Sequence, residues 1–290
     1  MSINVHPSGL ATYAKCGMQY YFFWERKLKL PPGIAQEYGT SMHYTLIDGD
    51  QAHRIKTGGY LPIESLKETF AQEFDRRILE TDPFDRDAVE LGGHAKARDV
   101  LQRWGFASIE EYNKNRSVLD GRAVEVPFKI PYGEGTLEGR IDIDVSPSEF
   151  KDLKTRDLSR PRAKRIQPSA VAYSIQYAAY AAAKARMEKE PEIKVSQVTL
   201  YKREKPIPLE EISVTRGPAN HEAAEEYAAT VQRAIAAGIF LPVDKSSTNA
   251  WVCQSRYCGA WSSTLPDGSK GCPFGERASV SIAVKGESEE

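Results

Sequence analysis

The stretch from residue 121 to residue 155 limits what this chain can fold into more than any other part of it. GRAVEVPFKI (121–130) alternates apolar and polar side chains, Pro131-Tyr132-Gly133 turns the chain, and TLEGRIDIDV (136–145) alternates again. Ser146-Pro147-Ser148 makes a second turn into EFKDLKT (149–155). A period of two belongs to strands with one buried face, and short Pro/Gly/Ser turns join antiparallel neighbours. A three-stranded antiparallel meander is therefore expected. The residues before it carry helical periodicity: 7–29 as one or two short aromatic-rich helices, 36–57 stopping near Gly58-Gly59, then 63–80 and 86–114, the last interrupted at Gly92-Gly93. After the meander come a basic stretch, RDLSRPRAKR (156–165), a long helix over 168–188, a strand over 195–203 and a helix over 218–237. The expectation is a mixed α/β fold, a core sheet flanked by helices with an N-terminal helical addition. All 290 residues read as one domain: 1–115 the helical part, 116–240 the core, 241–280 a cysteine-bearing segment and 281–290 an acidic tail.

Charge and apolar content exclude several classes of protein. Lys+Arg number 39 against 40 Asp+Glu, for a net charge of −1, so any polyanion site must be local. No apolar run approaches the ~18 residues of a membrane helix. The opening MSINVHPSGL has neither the basic nor the apolar region of a signal peptide, so a cytoplasmic chain is expected. No phosphate-cradling G-x-x-x-x-G-K-[ST] loop occurs, so the chain has no evident ATP motor. Four cysteines, Cys16, Cys253, Cys258 and Cys272, are unlike structural disulfides in a reducing compartment.

The meander carries the chemistry. Along 136–145, Ile141, Ile143 and Val145 share one face while Arg140, Asp142 and Asp144 share the other. The next strand holds two acid-x-Lys pairs, Glu149/Lys151 and Asp152/Lys154, and period two puts them on opposite faces. Asp152 and Lys154 lie deeper in the strand and precede the basic stretch, so they are the pair expected to join Asp142. Two carboxylates on neighbouring strands suit Mg²⁺ (or Mn²⁺), which prefers oxygen ligands. The bound ion activates water and neutralises charge on a phosphate, and a nearby lysine orients that water.

Gly139-Arg140-Ile141-Asp142, then Asp152-Leu153-Lys154-Thr155, then Gln176 with Tyr180 four residues on, together resemble the PD-(D/E)XK nucleases of the RecB type, with their G-x-x-D, D-x-K and Q-x-x-x-Y motifs. Gly39-Thr40-Ser41-Met42-His43 resembles that family's G-x-x-x-H helix, and the opening Ser8-Gly9-Leu10…Tyr13…Cys16 resembles its start. The resemblance runs from about residue 8 to 275. It implies a restriction-endonuclease-like core and a metal-dependent DNA exonuclease acting on single-stranded or resected ends in recombination, repair or mobile-element processing. It makes His43, Asp142 and Asp152 metal ligands with the Leu153 carbonyl. Lys154 becomes the catalytic lysine, and Gln176 and Tyr180 lining residues.

One cysteine before the core and three after it resemble the subset of this family that binds a [4Fe–4S] cluster, such as the AddB helicase-nucleases, CRISPR-adaptation nucleases and some phage exonucleases. The gap before Cys272 is longer than usual there, and a Cys₄ zinc site would use the same four thiolates. For DNA, residues 151–165 carry seven basic side chains against two acidic ones, and Arg156, Arg160, Arg162, Lys164 and Arg165 are the expected phosphate contacts. Either the nuclease acts alone on ends or a helicase or recombinase is a separate partner. Oligomeric state is open. The rival reading is a nuclease-like subunit that binds DNA or protein without cutting, stiffened by a structural Cys₄ metal site.

Overall fold

The computed structural model describes residues 3–28, 32–79, 86–158, 164–205, 207–244, 249–254, 258, 260–262, 264–265 and 268–275. They fall into two compact units, one built from Met1–Ala11 and Pro31–Ala237, the other from Thr12–Leu30 and Gly238–Glu290. Among the described residues no helix is long and apolar enough to cross a membrane.

The larger unit is a mixed α/β fold around a six-stranded sheet. Its strands are β1 (Asn4–Val5), β2 (Ala123–Tyr132), β3 (Gly135–Ser146), β4 (Glu149–Asp157), β5 (Ile193–Lys202) and β6 (Glu210–Arg216). β2, β3 and β4 form the expected antiparallel meander, β5 joins β4 in parallel, and β6 closes the edge antiparallel to β5. β1 pairs in parallel with the start of β3. Neither β1 nor β6 is among the strands expected from sequence. β1 is only two residues long, whereas EEISVTR has the in-out alternation of an edge strand and could have been read.

After α1 (Pro7–Lys15) and α2 (Gly17–Tyr20), helices α3 (Ile34–His43), α5 (Ile63–Ile78) and α7 (His94–Asn113), the last preceded by the short α6 (Arg86–Glu90), cover one face of the sheet. Leu66, Phe70, Phe74 and Ile78 recur every four residues along α5 and are all buried. That spacing puts them in one stripe, packed with Tyr38, Met42, Leu101 and Tyr112 against Ile143, Leu153, Val198 and Leu200 of the sheet. Between α3 and α4 (Ala52–Thr57) the chain widens into π-helical turns over Tyr44–Gln51. These turns carry the buried Asp50, which accepts hydrogen bonds from Tyr112 and the Leu61 amide.

The opposite face carries α9 (Ile175–Glu188) and α10 (Pro218–Ala236). The single helix expected over 168–188 is in fact two, α8 (Pro168–Ala172) and α9, broken at Tyr173-Ser174. Ser174 caps the new helix by accepting from the Tyr177 amide, the usual use of serine at a helix start. The run Ala178, Ala179, Ala181, Ala182, Ala183 then lets α9 lie close to its neighbours.

Candidate active site

The site forms where the sheet opens. β3 and β4 pair at Ser146↔Glu149, Asp144↔Phe150 and Ile143↔Lys151, and the ladder ends there. The next pair in that register would be Asp142 and Asp152. Instead the Leu153 amide donates to Asp142 Oδ2 at 3.1 Å, so a side chain takes the place of a strand carbonyl. Asp152 remains in register with Gln197 of β5. The alternation of two strands and the end of one ladder thus bring two acids to the same opening.

Asp152 is buried, and Lys154 Nζ donates to its Oδ1 at 2.7 Å. His43, in the last turn of α3, lies 3.1 Å from Asp142 Oδ2 and 3.5 Å from Glu125 Oε1. Two motif glycines allow this approach. A Cβ on Gly39 would sit 2.7 Å from Thr155 Oγ1, so α3 needs glycine to lie against β4 and carry His43, one turn later, to Asp142. A Cβ on Gly139 would sit 2.8 Å from the Phe128 ring, which packs edge-on against Tyr180. A groove of about 440 Å³ opens beside His43 and Lys154, with Thr40, Thr155 and Lys202 in its walls.

The electrostatics follow from burial and pairing. Burial disfavours a charged His43, but the Asp142 and Glu125 carboxylates outweigh it and raise its pKa. Burial likewise opposes ionisation of Asp142, and the His43 hydrogen bond and Lys154 charge bring its pKa below the ordinary value. Asp152 goes the other way: burial and the neighbouring Asp142 raise it despite Lys154. Neighbouring acids with opposite shifts are a pattern common at functional sites.

Tyr180 stands between Phe128 and Phe150 and is hydrogen-bonded to Gln176, with burial foremost in raising its pKa to about 12. The rejected pair lies elsewhere, with Lys151 donating to the Val118 carbonyl and pairing with Glu211, and Glu149 pairing with Lys194. Asp144 is tied up by the buried Lys184 at 2.7 Å. Of the basic residues, Arg156, Lys164 and Arg165 are exposed, while Arg160 and Arg162 lie outside the described residues.

Sequence reasoning passes over three residues here. Glu125 faces Asp142 across the β2–β3 register, between the pairs Val124↔Ile143 and Val126↔Ile141, and holds φ at 51°, rare for a non-glycine residue in mid-strand. The acid inside VEV was its available signal. Asp48 comes close enough for its carboxylate to lie within 4.8 Å of ligand atoms of His43 and Glu125, but its place on the π-helical turns left no pattern to read. Tyr177, next to Gln176, contacts Asp152 directly.

The four cysteines all belong to the smaller unit. Cys16 caps a short helix, Gly17–Tyr20, by accepting from the Gln19 amide, and packs with Val243, Val252 and Cys253. Cys258 and Cys272 share a second apolar cluster with Phe22, Ala260 and Leu265. Burial pushes the Cys258 thiol up to about 11, and Cys272, Cys16 and Cys253 are all near enough to push it the same way.

A sheet with helices on both faces and paired acids at its opening is the architecture of a class of nuclease folds. The family model of the PD-(D/E)XK nuclease superfamily matches residues 4–263, and the chain belongs to this superfamily. A crystal structure of an Eubacterium rectale protein, named provisionally as an exonuclease, is similar at 12% identity and a TM-score of 0.36, over 77% of this chain and 87% of that one. Among curated proteins none is similar enough to count as a relative.

Proposed function

We propose that this nuclease is a Mg²⁺- or Mn²⁺-dependent deoxyribonuclease, working as an exonuclease on single-stranded or resected DNA ends. The observation that carries the reading is the convergence of Asp142, Asp152 and Lys154 at the opening of the β3–β4 ladder, with His43 3.1 Å from Asp142. Carboxylate oxygens and one imidazole nitrogen suit a hard divalent cation, so the donor set fits the ion. His43, Asp142, Asp152 and the Leu153 carbonyl would hold it, with Glu125 adding a further carboxylate. When bound, the cation supplies charge neutralisation at the phosphate and a water of lowered pKa.

The chain's own residues do the rest. Burial opposes the charge on Lys154, but the Asp152 and Asp142 carboxylates outweigh it and raise the pKa, so its ammonium can hold the attacking water and stabilise charge growing on the phosphoryl oxygens. The groove past Thr40, Thr155 and Lys202 offers the scissile strand a path, and Arg156, Lys164 and Arg165 offer charge for its backbone. In the smaller unit, Cys16, Cys253, Cys258 and Cys272 form a [4Fe–4S] site, with Cys₄ zinc the alternative. Cys258 and Cys272, whose thiols are pushed up by burial and further by the nearby Cys16 and Cys253, support a shared metal. End-labelled single- and double-stranded DNA incubated with Mg²⁺ or with EDTA tests the activity. Mononucleotides released from ends only with Mg²⁺ support the reading, and tight DNA binding without cleavage overturns it.

A further inference from the structure

Tyr177 is 3% exposed and sits in the first turn of α9. In sequence it stands between the two motif residues Gln176 and Tyr180 and is given no role of its own. Its hydroxyl, however, lies 2.8 Å from Asp152 Oδ2 and 2.8 Å from the Gln197 side-chain oxygen. Asp152 and Gln197 are partners in the β4–β5 register, so the phenol spans two neighbouring strands.

A phenol has one proton to give, and a carboxylate takes it in preference to an amide oxygen because charge-assisted bonds are the stronger. Gln197, which also bonds Thr199 at 3.0 Å, can satisfy the phenol oxygen by a half-turn of its amide. The protons then run Thr199 to Gln197, Gln197 to Tyr177, and Tyr177 to Asp152, with every buried partner satisfied. Asp152 is left with one oxygen bound to the helix and the other, Oδ1, beside Lys154.

We propose that Tyr177 is a positioning residue that locks Asp152 through Oδ2, so that only Oδ1 is offered to the divalent cation. The inference rests on the metal-dependent reading above. Groups that orient a metal ligand typically contribute about 10- to 100-fold in metal affinity, because a ligand free to rotate must be ordered each time the ion binds.

The test is Mn²⁺ binding to purified protein without DNA, followed by electron paramagnetic resonance. Tyr177→Phe should raise the Mn²⁺ dissociation constant about 10- to 100-fold. It should also raise the Mg²⁺ concentration needed for half-maximal cleavage by a similar factor, while saturating Mg²⁺ restores most of kcat because Lys154 is untouched. A purely packing role would lower thermal stability without that split. Gln197→Leu, which removes the tyrosine's partner and leaves Asp152 alone, should shift Mn²⁺ affinity severalfold in the same direction. Unchanged Mn²⁺ affinity in the folded variants overturns the role of Tyr177. Absence of Mn²⁺ binding by the unmodified protein overturns the metal-dependent reading itself.

Discussion

Lys154 and Lys151 are three residues apart on one strand and differ completely in surroundings. Lys154 points to Asp152 at the opening of the sheet, while Lys151 is held by the Val118 carbonyl and Glu211 on the far face. Lys154→Ala should therefore lower cleavage by about 10²–10³ while DNA binding in Ca²⁺ and thermal stability stay near the original. Lys151→Ala should keep cleavage and lose some stability; the reverse outcome in a nuclease assay would reassign the catalytic lysine. His43 carries a second expectation. Its raised pKa means the metal-free protein gains stability from charged His43 below the ordinary histidine value, and loses it as pH rises through the raised one. Asp142, shifted downward, contributes above the ordinary carboxylate value and loses its contribution as pH falls through the lowered one. In EDTA the pair should stabilise the protein most at roughly pH 5–6. Melting curves across pH should show that extra stability in the original and not in His43→Gln. An identical pH profile in the two proteins would rule the pair out.

At the level of elements, the approach of α3 to β4 decides whether His43 reaches Asp142. In an open helix, Gly39→Ala should be stabilising by about 1 kcal/mol on propensity alone. Here the added Cβ meets Thr155 Oγ1, so the sign should reverse: a lower melting temperature and weaker metal binding. Removing the obstructing oxygen in Gly39→Ala/Thr155→Ala should recover stability, because only the helix-propensity gain then remains. Calorimetry of the single and double variants checks this, and a Gly39→Ala protein as stable as the original would mean that α3 has room to spare. The break at Tyr173-Ser174 matters in the same way. One continuous helix would lack the capped first turn that now carries Gln176 and Tyr177.

For the whole molecule, the balance of 39 basic and 40 acidic residues makes DNA binding a local affair. Neutralising Arg156, Lys164 and Arg165 together should flatten the salt dependence of binding by roughly 0.7–0.9 log unit per lost phosphate contact. An unchanged slope in a salt titration would mark them as solvated surface. Among the described residues of the smaller unit, apolar clusters gather around Cys16, Val243 and Val252 and around Phe22, Ala260, Leu265 and Cys272. A shared metal would staple two such clusters together. With a [4Fe–4S] cluster, anaerobically purified protein should be brown with about four irons per chain. Cys16→Ala should lose the metal and become protease-sensitive within 12–30 and beyond 238, with the Asp142 site untouched. One zinc per colourless chain would make the site Cys₄ zinc. Full metal content in Cys16→Ala would exclude Cys16 as a ligand.

Local pattern was enough for much of this protein. Period-two alternation and Pro/Gly turns specify the meander from residue 121 to 155, four-residue recurrence specifies α5, and parity alone separates Asp152/Lys154 from Glu149/Lys151. These are properties of neighbouring residues, which any one strand or helix expresses by itself. The remainder needed distance in sequence to become distance in space. Glu125 became a neighbour of His43 only through the β2–β3 register and a backbone turn at φ 51°. Tyr177 became a partner of Asp152 only once Ser174 restarted the helix above β4 and β5. The cysteines, distributed from 16 to 272, share one compact unit only because two distant stretches of the chain fold together. Periodicity records which side of an element a residue occupies, and packing between elements decides what it meets there.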